Sequence, residues 1–155
     1  MKSAHKSAVI IGAALLGALL FLYIFRLVAW RFSDEYAASQ TLKNLTARYE
    51  EDSYGGYLPE ETLRLFIEAL NKGDADLASK FFIIEKQAEW KTALSNWKDK
   101  NKFASIVSVL DRAGHGREVA EGIYQMVVTN DANEALFLID FVKNDATQKW
   151  KIERF

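Results

Sequence analysis

The chain is predicted to join an N-terminal transmembrane helix to an α+β domain in which helices come first and an antiparallel meander comes last. Three observations predict this. An uncharged apolar run extends from Ala8 to Phe25. Between Pro59 and Ala113 the apolar residues recur at helical spacing. After Gly114-His115-Gly116 the pattern changes to β-rich runs separated by Asn- and Asp-rich turns.

The apolar run is expected to be an anchor. Its 18 residues span roughly 27 Å as a helix, close to the thickness of a bilayer's hydrocarbon core. Tyr23 and Trp30 fall where interfacial aromatics belong, and Arg26 can snorkel to the headgroups. A cleaved signal peptide is the rival, but its apolar core would be shorter, and Arg26, Trp30, Arg31 and Phe32 suit cleavage poorly. Lys2 and Lys6 face Arg26 and Arg31, so the positive-inside count is nearly balanced. The basic tail before the run favours a cytoplasmic N-terminus and an extracytoplasmic domain at the inner or plasma membrane. The small-residue pairs Ala13/Gly17 and Ala14/Ala18 could mark a helix-dimer face, but no polar residue accompanies them.

Charge divides along the same line. Residues 1–31 carry four basic residues and no acidic one, whereas residues 32–155 carry 21 acidic against 16 basic, a net −5. A nucleic-acid partner would need a basic face, so that class is excluded, as is a polybasic membrane-surface binder. The chain has no cysteine, which removes disulfides, thiolate catalysis and cysteine zinc sites. The expected organisation is a tail and signal anchor over 1–31, a helical stalk and Gly-rich linker over 32–58, and a soluble domain over 59–155.

Ala38, Leu42, Leu45 and Tyr49 place a helix over Asp34–Asp52, with Ser33 or Asp34 as its cap, and Ser53-Tyr54-Gly55-Gly56 breaks it. Pro59 suits a first helical position, with Glu60 and Glu61 at the positive end of the dipole. Leu63, Phe66, Ile67 and Leu70 make its buried face and Gly73 its stop. Asp74 caps a second helix that buries Leu77, Ala78, Phe81 and Phe82. A third spans about Glu85–Lys98, with Trp90, Leu94 and Trp97 on one side. A fourth, Asn101–Ala113, has enough β-branched residues to leave a strand open as the alternative. Three strands are expected over Glu118–Thr129, Glu134–Lys143 and Gln148–Phe155. In the second, Leu136, Leu138, Asp140 and Val142 share one face and Ala135, Phe137, Ile139 and Phe141 the other. Two apolar faces require either cover on both sides or a partner.

Leu70-Asn71-Lys72-Gly73-Asp74-Ala75-Asp76-Leu77-Ala78, followed at the end by Trp150-Lys151-Ile152, resembles the nuclear transport factor-like superfamily over about residues 59–155. The resemblance implies helices packed into the concave side of a curved antiparallel sheet. It also implies one of three kinds of role: hydrophobic-ligand binding, isomerase or dehydratase chemistry, or a structural dimer or scaffold module. Anchored domains of this kind resemble subunits of bacterial envelope assemblies.

The candidate chemistry is sparse. His5 and His115 are the only histidines, and neither has partners at metal-ligand spacing, so no metal or cofactor is expected. Asp140, mid-strand among apolar residues, could be a general base; the alternative is an ion pair with Arg154 or Lys151 on the next strand. Phe81, Trp90, Tyr124, Phe137 and Phe141 could line a pocket for an apolar ligand, or pack a core. No phosphate loop or hydrolase motif is present. The expectation is a non-enzymatic interaction module. Its contact face would be Leu136, Leu138, Asp140 and Val142, and its partner another protein or a second copy. A binding protein for a small hydrophobic ligand is the alternative, and an isomerase-like enzyme a further one.

Overall fold

The computed structural model describes residues 2–31 and 34–155, and the side chains of residues 16–31 and 35–155. The possible cap at Ser33 or Asp34, the small residues Ala13 and Ala14, and His5 therefore have no described side chains. Contacts divide the chain into two compact units, Met1–Thr46 and Ala47–Phe155.

In the first unit, helix α1 covers Lys2–Arg31 and α2 begins at Asp34. The large apolar side chains from Leu16 to Val28 are exposed. The Trp30 ring meets Tyr36 edge-on at 5.0 Å. Among the described residues no single helix is long and apolar enough to cross a membrane; only a bent pair, Leu16–Arg31 with Glu35–Glu51, passes together.

The second unit is α+β. It holds the last turn of α2 (Asp34–Glu51) and helices α3 (Pro59–Asn71), α4 (Ala75–Ser79), α5 (Gln87–Asp99) and α6 (Phe103–Leu110). Strands β1 (Arg117–Ala120), β2 (Ile123–Thr129), β3 (Ala135–Lys143) and β4 (Trp150–Arg154) follow. Pro59 opens α3, where the Glu61 carboxylate accepts the Tyr57 N–H at 2.8 Å. Gly73, at φ +69°, ends the helix: Asp74 N–H reaches Ala69 O and Gly73 N–H reaches Leu70 O. These are the two bonds of a Schellman stop. Asp74 then caps α4 by accepting the Leu77 N–H at 2.9 Å. The β-branched run 103–110 is helical, because Phe103, Val107 and Leu110 bury one face at helical spacing.

The strands form one open antiparallel sheet in the order β1-β2-β3-β4. The expected three-stranded meander is corrected to four. Glu121-Gly122 folds the first run into a hairpin, with Gly122 at φ +68° and its N–H donating to the Glu118 carboxylate. A glycine inside a β-rich run supplies the left-handed residue that a tight turn needs. Phe66, Phe82, Leu94, Leu110, Met126, Ile139, Phe141 and Ile152 fill the space between helices and sheet.

Thr62 and Ser79 are buried as deeply as these, and so is one cation. Lys151 on β4 is 2% exposed, and its ammonium donates to Asp52 Oδ2 at 2.7 Å, Lys80 O at 2.6 Å and Tyr54 O at 3.3 Å. Asp52 also accepts the Tyr54 N–H and the Gln87 side-chain amide. Around this pair the preceding turn of α2 is tied down. Tyr49 donates to Glu85 at 2.6 Å, and burial with that carboxylate pushes its phenol up to about 12. Asn144 donates to Tyr49 O at 2.9 Å. The glycine pair is docked as well: Trp150 N–H donates to Gly56 O at 2.9 Å, and a Cβ on Gly55 would stand 2.3 Å from Trp150 O.

Burial lowers the pKa of Lys151, while Asp52 acts to raise it. Asp52→Asn removes the counter-ion and leaves the ammonium buried, which is expected to cost about 3 kcal/mol of stability at neutral pH. In that variant the folded chain binds the lysine proton more weakly than the unfolded chain does. The unfolded state then carries more protons, so stability rises with pH. Urea unfolding at neutral and at alkaline pH should show the deficit narrowing toward the ordinary lysine range. A deficit independent of pH would remove Lys151 as its cause.

Candidate functional site

Strand alternation gives the sheet an inner and an outer face. Val127 lies opposite Leu138, Gln125 opposite Asp140, and Ile123 opposite Val142. On the outer face exposed Ile123 on β2 and Val119 on β1 lie on one side of the Gln125–Asp140 pair, while on the other side Leu136 is 49% and Leu138 44% exposed, with exposed Val127 opposite Leu138. Next to them a recess of about 240 Å³ is lined by His115, Gly116, Arg117, Gln125, Val127 and Leu138. The nearby glycine is sterically required: a Cβ on Gly116 would stand 2.1 Å from Gln125 O.

Asp140 sits on this face but is 3% exposed. Its carboxylate accepts the Gln125 side-chain amide at 2.8 Å and the Arg154 guanidinium. Arg154 reaches it because the register shifts between Asp140/Arg154 and Phe141/Ile152, leaving Glu153 as an extra residue. The carbonyl of Glu153 accepts from Lys86 at 2.9 Å. Asp140 is thus a paired carboxylate, with Arg154 rather than Lys151 as its partner. It is not beside Tyr124, whose register partner is the inward-facing Phe141. Val142, the remaining residue expected on this face, is half-buried.

The aromatic candidates separate. Phe81 and Phe141 are buried, and Trp90 and Phe137 pack against the core. Phe155 joins them: its ring lies 4.9 Å from Trp90, 5.8 Å from both Phe66 and Phe82, and 6.3 Å from Phe137. Tyr124 also packs against the core, edge-on to Trp150 at 6.0 Å, and donates to Glu60 at 2.6 Å. That hydrogen bond to a carboxylate raises the phenol's pKa.

A concavity with an apolar floor lies elsewhere, between α3, the end of α6 and the inner face of β2. It holds about 470 Å³. Leu63, Ile67, Leu110 and Met126 line its apolar part, and Glu60, Arg64, Glu68, Asp111 and His115 its polar part. Sequence periodicity identifies the apolar residues of α3 and α6 as buried-face residues, but not that their edges leave a gap. Met126 and Val127 are adjacent residues serving opposite faces, and only their pairing within the sheet assigns them. Among the described residues, no three His, Cys, Asp or Glu side chains gather as a metal site. Comparison with protein-family models, curated proteins and solved structures finds no match to the chain.

The ring cluster generates a direct test of packing. Phe155→Ala removes a side chain with five aromatic neighbours, Phe66, Phe82, Trp90, Trp97 and Phe137, and should cost about 3 kcal/mol. The emission of Trp90 and Trp97 should move to longer wavelength as water enters. A variant with the parent's unfolding midpoint would mean that the cluster does not stabilise the fold.

Proposed function

We propose that the chain is a membrane-anchored, non-enzymatic interaction module whose extracytoplasmic domain docks a protein partner or a second copy on the outer face of its sheet. The observation that carries the reading is the exposure of Leu136 and Leu138 beside Val127. Contiguous apolar surface at a solvent boundary, bordered by polar groups, is the usual form of an interaction site. The recess next to Leu138 offers a seat for one side chain of the partner. The paired state of Asp140 supports a positioning role: held by Gln125 and Arg154, it keeps a flat polar border across β2, β3 and β4. Helices packed on an antiparallel sheet that ends in Trp150-Lys151-Ile152 are compatible with a nuclear transport factor-like domain.

The membrane part of the proposal rests on the uncharged run Ala8–Phe25, the aromatic residues at its end and the exposure of the apolar side chains that follow Leu16. Side chains of this kind need an apolar solvent or a partner. A reporter active only outside the cytoplasm, fused after Phe155, is expected to be active. Activity only from a cytoplasmic reporter would reverse the orientation.

Docking is tested on the same face. Leu138→Glu places an unpaired charge in the contact and should abolish self-association or partner capture, read by analytical ultracentrifugation and crosslinking of the full-length protein. The fold should persist, because an exposed side chain contributes little to it. Asp140→Asn keeps the shape, costs about 1 kcal/mol of stability and should leave docking intact. Intact assembly in Leu138→Glu, together with loss of function in Asp140→Asn, would overturn the reading.

A further inference from the structure

The groove between α3, α6 and β2 is separate from the outer face, since Met126 lines it from the inner side of a strand whose Val127 points outward. Its volume, about 470 Å³, falls within the range of small-molecule pockets. Leu63, Leu110 and Met126 are almost fully buried beneath it, and half-buried Ile67 extends the apolar wall. Such a wall suits a short hydrocarbon or aromatic body.

The polar side has a definite sign. Glu60, Glu68 and Asp111 bring three carboxylates, and Arg64 the one fixed positive charge among the lining residues. Arg64 is already paired with Glu68 on the same helix face. Tyr124 fixes Glu60 through one oxygen, Oε1, at 2.6 Å; Oε2 has no protein partner among the described residues. The Asp111 carboxylate likewise makes no hydrogen bond or ion pair among the described residues. An anionic head would meet two uncompensated carboxylates here, whereas a cationic one would complete them.

We propose that this groove binds a small organic ammonium ion, with its apolar body against Ile67, Ala113 and the edge of Leu63, over the buried Leu110 and Met126, and its cationic head between Glu60 and Asp111. Glu60 is the better-positioned of the two carboxylates, because the phenol of Tyr124 holds it from behind. Asp111 stands at the end of α6, where the carbonyl end of the helix adds to the negative potential.

Methionine makes the test specific. The chain has two methionines, Met1 and Met126, so labelling with ¹³C-methyl methionine yields one resonance from the groove and one internal control. Full-length protein in zwitterionic nanodiscs would be titrated with n-hexylammonium and, separately, with hexanoate. The expected result is a saturable shift of the Met126 methyl with hexylammonium and none with hexanoate. In Glu60→Gln/Asp111→Asn the hexylammonium midpoint should weaken about tenfold. The Glu60→Gln change keeps an oxygen acceptor for the Tyr124 phenol, and an unchanged Met126 resonance in the ligand-free variant would confirm that the groove is intact. Absence of a Met126 shift at millimolar hexylammonium, an equal response to hexanoate, or an unaltered midpoint in the double variant would each overturn the proposal.

Discussion

An ammonium group taken out of water needs an oxygen partner for each of its three protons, and at Lys151 the chain supplies them from two segments distant in sequence. Asp52 comes from the end of α2, Tyr54 from the loop beyond it, and Lys80 from the end of α4. The desolvation of both charges is a large penalty, offset only while all the partners hold their places. The arrangement therefore specifies position more than it adds stability. It brings the loop 52–56 onto β4, and the backbone bond from Trp150 to Gly56 continues that contact. This Gly-rich loop lies in the compact unit that begins at Ala47.

The same contact zone finishes one edge of the sheet. Ile152 donates to Phe81 O, Ile83 donates to Ile152 O, and Trp150 donates to Gly56 O, so the free side of β4 is paired with backbone. The opposite edge, β1, is short, carries Arg117 and Glu118, and breaks register at Glu118/Ala120. Short, charged and bulged strands resist adding another strand. One edge of the sheet is thus capped by backbone, and the other is short, charged and bulged. The inner face is filled by the ring cluster around Phe155, and the outer face keeps exposed leucines.

The two candidate binding surfaces thus have different physical origins. The outer face is apolar because nothing in the second unit covers Leu136 and Leu138. The inner groove lies where α3, the end of α6 and β2 meet, at the place where the chain turns through Gly114 toward β1. Gly114 N–H bonds to Val127 O there, drawing the turn to the strand and setting His115 between the two cavities. His115, a solvated loop residue by its sequence setting, is exposed; its place at the junction of two concavities comes from the fold.

What the sequence determined by itself was whatever depends on neighbours within a few residues. Pro59, the Gly73-Asp74 stop and cap, the helical face Leu63–Phe66–Leu70 and the alternation of β3 are local signals, and each element formed where those signals lie. The hairpin at Glu121-Gly122 was legible in principle, but a single glycine within a β-rich run is a weak signal until Ala120 pairs with Ile123. The choice of Arg154 over Lys151 as the partner of Asp140 was not legible, because it depends on the extra residue Glu153, which the register of β3 against β4 sets. Asp52 and Lys151 are 99 positions apart, and the walls of the groove come from α3, α6 and β2. Only tertiary structure decides such pairings: charge and cavity shape act through space, and the sequence reports proximity along the chain alone.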